Sequence, residues 1–92
     1  MISKTVLITD PVGLHARPAA VASKLASKCK SIVTLEYDGK QTNMKSIMGI
    51  MSLGIPAYKE VEIICNGDSR ANEQGDLDSI LEGLLEEEII AD

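Results

Sequence analysis

Aromatic side chains are nearly missing: the 92 residues hold no Trp, no Phe and two Tyr. A core must therefore be assembled from Ile, Leu, Val, Met and Ala, and the stacking platforms of a nucleic-acid binder are lacking. Positive charge is also scarce. Nine Lys and Arg stand against fourteen Asp and Glu, a net charge of −5, which leaves no basic stripe to track a phosphate backbone. No apolar run approaches the ~18 residues of a membrane span, and no basic, Leu-rich leader is visible. The expectation is a cytoplasmic chain that binds neither nucleic acid nor membrane. Cys29 and Cys65 form no CxxC pair, and a single His is available to join them. A metal site is therefore not expected, nor any cofactor, and both cysteines read as reduced, small apolar residues. Acidic charge collects in Glu82 and Glu86-Glu87-Glu88, a pattern that most often marks a solvated face.

The length suits one domain, residues 1–92, with one modest core. Thr5 to Thr9 is apolar and β-branched and is stopped by Asp10-Pro11-Val12-Gly13, which predicts a strand and a turn. From Ala16 to about Ser27, Ala19, Ala22, Leu25, Ala26 and Cys29 share one helical face. Pro18 is compatible with that helix, because a first-turn N–H has no intrahelical partner to lose. Ser31 to Tyr37 predicts a half-buried strand, Asp38-Gly39 a two-residue hairpin turn, and Lys40 to Met44 the returning strand. Lys45 to Leu53 reads as a compact turn or short helix, with Ser46 as N-cap and Gly54 as stop. Glu60 to Cys65 is a further strand, ended by Asn66-Gly67-Asp68. Leu77, Ile80, Leu81, Leu84 and Leu85 form the stripe of a last helix. Ser69 is a candidate cap for it, but Gly75, at ~1 kcal/mol against Ala, favours a start near Gly75-Asp76. The order strand, helix, strand, strand, helix, strand, helix implies an α+β open-faced β-sandwich: a four-stranded antiparallel sheet with three helices on one face.

The chemistry concentrates in Gly13-Leu14-His15-Ala16-Arg17-Pro18-Ala19. His15 falls where a loop becomes a helix, so the free N–H groups of the first turn, those of Ala16 and Arg17, favour an anionic group there. Arg17 adds a guanidinium that matches phosphate oxygens in a bidentate fork. Positioning and charge neutralisation are the main needs of phosphoryl transfer, and this segment supplies both without a metal. Position alone leaves the alternative open that His15 is an ordinary surface or capping residue. Ser46, likewise, reads first as a helix cap. Ile47, Met48, Met51 and Leu53 are more large apolar residues than so short an element can hide, and adaptable exposed methionines suit docking to several partners.

The segment Gly13 to Ala19 resembles the phosphohistidine signature of the HPr family, the phosphocarriers of the bacterial sugar phosphotransferase system. Lys45-Ser46-Ile47-Met48-Gly49-Ile50-Met51-Ser52-Leu53-Gly54 resembles the regulatory serine segment of the same family, and the correspondence runs to about Asp68. The resemblance implies that His15 accepts a phosphoryl group on its δ nitrogen from Enzyme I, with assistance from Arg17, and passes it to Enzyme IIA domains. The chain would then be a covalent relay without independent turnover, and a monomer. The resemblance further implies phosphorylation of Ser46 by an HPr kinase/phosphorylase and contact with a catabolite-control transcriptional regulator. It also implies a docking surface of Ile47, Met48, Met51 and Leu53 beside His15.

Some features depart from the family pattern. Val12 stands where many relatives carry a small polar residue. Tyr58 stands where Gly is common, at a cost of ~1 kcal/mol or more should φ be positive there. The stretch Ser69 to Gly75 is longer than usual, and Glu86 to Asp92 follows no evident pattern. Two other functions compete with the carrier: a regulatory paralogue acting through phosphoserine, against which the presence of His15 argues, and an interaction domain without phosphate chemistry.

Overall fold

The computed structural model describes residues 1–68 and 70–91. Ser69 and Asp92 lie outside the described residues. Three strands of the sheet follow the expected alternation. β1 (Ile2–Ile8), β2 (Ile32–Tyr37) and β4 (Glu60–Asn66) turn Val6, Ile8, Val33, Leu35, Val61, Ile63 and Cys65 inward, where each is at most 2% exposed. Antiparallel register places Val6 opposite Val61 and Leu35 opposite Ile63, so these side chains share one face of the pleat. β3 (Lys40–Asn43) returns from β2 through Asp38 and Gly39, whose φ values of 53° and 77° give the doubly positive turn that the Asp-Gly pair demands. The helices α1 (Ala16–Ser27), α2 (Ile47–Ser52) and α3 (Glu73–Glu86) close the apolar face with Ala19, Ala22, Ala26, Ile50, Leu77, Ile80 and Leu84.

The α+β architecture stands, with one correction: the sheet has five strands, not four, in the order β3-β2-β4-β1-β5. The added strand, β5 (Ile90–Ala91), pairs with the outer edge of β1 at Leu7 and Ile8. Two residues are too few to carry a period, and the preceding glutamates disguise them. Tertiary packing creates the strand. Glu88 adopts φ 59° after α3, the Ile89 N–H bonds the Leu84 carbonyl at 3.0 Å, and the buried Ile89 and Ile90 turn back into the core. The Ile89 carbonyl then accepts the N–H groups of Thr9 (2.9 Å) and Asp10 (3.3 Å). The C-terminal segment thus braces the loop that leads to His15.

Two element starts differ from expectation. β1 begins at Ile2, because Ile2 to Leu7 pairs with Glu60 to Cys65 although Ser3 and Lys4 are exposed. α3 begins at Glu73 instead of Gly75, with Asn72 as N-cap: its carboxamide oxygen accepts the Gly75 N–H at 2.9 Å. A Cβ on Gly75 would lie 2.7 Å from Asn72 Nδ2. The glycine therefore makes room for the cap instead of breaking the helix. Tyr58 has φ 65°, the left-handed conformation in which its side chain is strained; its N–H is held by the Ile8 carbonyl at 2.7 Å.

The first turn of α3 is tied to the start of β2 through Asp76, which accepts both the Ser31 hydroxyl (2.7 Å) and the Ser31 N–H (3.0 Å). Partial burial opposes the charge of Asp76, but these bonds outweigh it and hold its carboxyl below the usual carboxylate range. Both cysteines are buried and free, and burial pushes the Cys65 thiol up to about 11. They are packing residues, as expected.

Candidate functional site

The turn before α1 is organised by Asp10. This residue is 4% exposed; its Oδ1 accepts the Val12 N–H at 3.0 Å, and its backbone carbonyl accepts the Gly13 N–H at 2.9 Å. Gly13 has φ 79°, and a Cβ there would collide with the Ile55 carbonyl. Only glycine lets the loop lie against Ile55 and Pro56, where the Leu14 N–H donates to the Ile55 carbonyl at 3.0 Å. This contact joins the loop bearing His15 to the segment that leaves α2.

His15 is the N-cap of α1, in extended conformation, and its ring makes no capping hydrogen bond. The first backbone bond of the helix runs from the Ala19 N–H to the His15 carbonyl at 2.9 Å. Pro18 has no N–H, so the donors of Ala16 and Arg17 lie at the helix start without intrahelical acceptors. The imidazole side chain is 37% exposed, and its Nε2 lies 3.3 Å from Asp10 Oδ1. Arg17, more exposed, places Nη2 at 3.3 Å from Asp10 Oδ2 and Nη1 at 3.9 Å from Glu87 Oε1. One ring, one guanidinium and two free N–H groups therefore gather at one corner. Positive charge and amide donors beside an imidazole suit a phosphoryl group, with Asp10 and Glu87 paired to the guanidinium.

Arg17 shares the Asp10 carboxylate with His15, and Ala16 lies between them at the helix start. Asp10 and Glu87 escaped the sequence reading. Asp-Pro-Val-Gly signals a turn, and Asp followed by an N–H two residues on is the signature of a side-chain-to-backbone turn. That the same carboxylate faces a histidine and an arginine is visible only once the turn has folded. Glu87 was legible only as part of an acidic run, because its approach to Arg17 depends on how the end of α3 packs beside α1.

Ser46 is the N-cap of α2, and its hydroxyl accepts the Gly49 N–H at 3.0 Å. A Cβ on Gly49 would collide with Thr42 Oγ1, which explains glycine where the helix crosses β3. Ile50 is fully buried and anchors the helix. Met48 is 79% exposed, with Ile47 and Met51 each at 43%, while Leu53 is partly buried against the core. Three of the four expected docking residues thus face outward, and Leu53 is mostly a packing residue. Val12 and Tyr58, both exposed, add to the apolar surface of the loops around the site. Among the described residues no cluster of His, Cys, Asp and Glu is arranged to hold a metal ion, and no helix is long and apolar enough to cross a membrane.

The chain is thus a small open-faced sandwich with a histidine at a helix start, an arginine two residues on and an outward Met-bearing helix alongside. The family model for the phosphorylation-site component of the phosphotransferase system, PTS HPr, matches residues 2–83. Solved structures agree. The histidine-containing phosphocarrier protein of Mycoplasma superposes with a TM-score of 0.90 at 35% identity, over 99% of this chain and 100% of that one. An HPr of Thermoanaerobacter tengcongensis gives 0.84 at 39% identity, covering 97% and 96%. Crh of Bacillus subtilis, described as a catabolite repression protein in a domain-swapped dimer, gives 0.69 at 40% identity, covering 95% and 97%. The chain belongs to the HPr family.

Proposed function

We propose that this chain relays a phosphoryl group from phospho-Enzyme I to Enzyme IIA domains through phosphohistidine at His15, without turnover of its own. One observation carries the proposal: the only histidine sits at the start of α1 with its ring unused for capping, beside the Arg17 guanidinium and the free N–H groups of Ala16 and Arg17. Nδ1 attacks phosphorus, and Arg17 and the helix start balance the charge that arrives. The stabilisation is partial, which suits a group that must leave again. Ile47, Met48 and Met51, with Leu53 behind them, form the docking surface for both partners, and the carrier acts as a monomer.

Incubation with phosphoenolpyruvate and Enzyme I, followed by mass measurement under basic conditions, tests this. The expected product is one acid-labile phosphate on His15. An unmodified protein, or a modified His15→Ala variant, overturns the assignment.

Ser46 supports a second, regulatory role. Its hydroxyl caps α2, so a phosphate at Oγ adds about −1.5 to −2 charges at a helix start that tolerates them, next to the docking surface. Phosphorylation by an HPr kinase/phosphorylase then slows acceptance from an acidic partner, and the phosphoserine form binds a catabolite-control regulator. The likeness to Crh at 40% identity favours this reading beside the relay. A regulator bound by the phosphoserine form in the absence of any phosphate transfer through His15 would assign the chain to regulation alone.

A further inference from the structure

The phosphocarrier reading leaves one buried charge beside the site without a task. Asp10 is 4% exposed, yet its two carboxylate oxygens face the two functional side chains: Oδ1 lies 3.3 Å from His15 Nε2 and Oδ2 lies 3.3 Å from Arg17 Nη2. We propose that Asp10 is a positioning residue for phosphoryl transfer: its carboxylate, in ion-pair contact with His15 Nε2 and not hydrogen-bonded to it, favours the proton on Nε2 over Nδ1 and balances the positive charge that the ring acquires when Nδ1 is phosphorylated. The inference rests on the phosphocarrier reading of His15.

The step balances without a metal or a free base. The Nδ1 lone pair attacks phosphorus and the Nδ1–P bond forms. The bond from phosphorus to the donor's leaving atom breaks, and its electron pair departs with the donor. Nε2 keeps its proton throughout, so the neutral ring becomes a cation, and the buried carboxylate at 3.3 Å is the counter-ion for that charge. In the onward transfer the same proton lets the ring leave as neutral imidazole. A carboxylate behind a catalytic histidine stabilises the ring's cation without taking its proton, and here it does so across an ion-pair contact. The charged groups around the ring are Asp10 and Arg17, with Glu87 reaching it only through Arg17 at 3.9 Å. At rest Asp10 also holds the guanidinium close to the ring. An incoming phosphoryl group competes for it and finds it already in place.

The competing explanation is that Asp10 only shapes the turn, through its bond from the Val12 N–H at 3.0 Å. Asp10→Asn separates the two, because the amide oxygen still accepts that N–H while the charge is gone. The experiment uses 15N-labelled full-length protein with phosphoramidate as donor, which removes partner docking from the comparison. It follows the reaction by 31P and imidazole 15N spectra at neutral pH. The wild type is expected to carry phosphate on Nδ1 and retain the Nε2 proton. Asp10→Asn should melt close to wild type, lose the Nε2 proton from the phosphorylated ring, and react on the order of tenfold more slowly. That loss is smaller than the ~10⁴-fold of a buried protease triad, because this ring is partly solvated. Wild-type rate and ring spectrum in a folded Asp10→Asn overturn the proposal and leave a turn residue. If that variant does not fold, the wild-type ring decides. Phosphate on Nε2, or a deprotonated Nε2 on the phosphorylated wild-type ring, overturns the inference. A wild type that phosphoramidate leaves unmodified at His15 overturns the carrier reading together with this one.

Discussion

The starts of α1 and α2 use the same position in opposite ways. At α2, Ser46 spends its hydroxyl on the helix, accepting the Gly49 N–H. At α3, Asn72 does the same for Gly75. At α1 the cap position is occupied by His15, whose ring is turned away from the helix amides toward Asp10. The first helix thus forgoes a capping bond of ~1 kcal/mol and keeps its leading donors and its imidazole for something else. The helix is stable without its cap because Pro18, Ala19, Ala22 and Ala26 are buried in the core. A surface helix as short as α2, with only Ile50 fully buried, has no such reserve.

The contrast predicts opposite responses to mutation at the two ends. The largest effect is expected from His15→Ala, which should abolish phosphoryl acceptance from Enzyme I while leaving the thermal melt almost unmoved, since no capping bond is lost. A large drop in melting temperature would show that the ring serves the fold after all. Next comes Arg17→Glu. Removing the guanidinium and adding repulsion should slow transfer ~100-fold or more and lower stability measurably, since the buried Asp10 loses a partner and gains a like charge, as quench-flow and calorimetry can establish together. Equal transfer rates would mean that the helix-start amides suffice alone.

At α2 the order reverses. Ser46→Asp keeps an acceptor at the cap and adds negative charge to a helix N-terminus, so the melt should hold or rise slightly. Acceptance from Enzyme I should slow, on the order of tenfold, and slow further at low ionic strength where screening is weaker. A defect independent of salt would point to altered conformation instead of charge. Ser46→Ala removes the cap and should cost ~1 kcal/mol, about 4–8 °C in melting temperature for a domain of this size, with transfer little changed.

The smallest effect concerns the third helix start. The hydrogen bonds of Ser31 hold the Asp76 carboxyl below its ordinary value against the opposing effect of burial. A depressed carboxyl contributes stability above the unfolded-state pKa, and that contribution is lost as pH falls through the folded one. Ser31→Ala should therefore shrink the advantage of the folded protein at neutral pH and make its acid unfolding curve shallower between about pH 5 and the folded value. Identical acid titrations of the two proteins would remove Asp76 from the stability of α3.

Much of this was legible before folding was considered. Alternating β-branched residues, the Asp-Gly turn, the alanine face of α1 and the Leu and Ile stripe of α3 each carry a local period or turn chemistry, and each appears in the structure within a few residues of its expected place. The position of His15 at a helix start was legible too, because a loop signal meets a helix signal there. The misread α3 start came from scoring Gly75 by propensity alone, when its lack of a Cβ serves the Asn72 cap.

By itself, then, the sequence determined the α+β class, the order of the first seven elements and the chemistry gathered around His15 and Ser46, because those follow from neighbours along the chain. Tertiary structure alone decided the fifth strand, the burial of Asp10 and the approach of Glu87 to Arg17. The approach of Glu87 depends on how the end of α3 packs beside α1. The other two depend on where the chain goes after α3: Glu88 reverses it, Ile89 and Ile90 find the core, and the Ile89 carbonyl secures the loop that carries Asp10. Residues 10 and 89 are joined by no periodicity. Only the closing of the apolar face brings them to hydrogen-bond distance, and with them the carboxylate that faces the histidine.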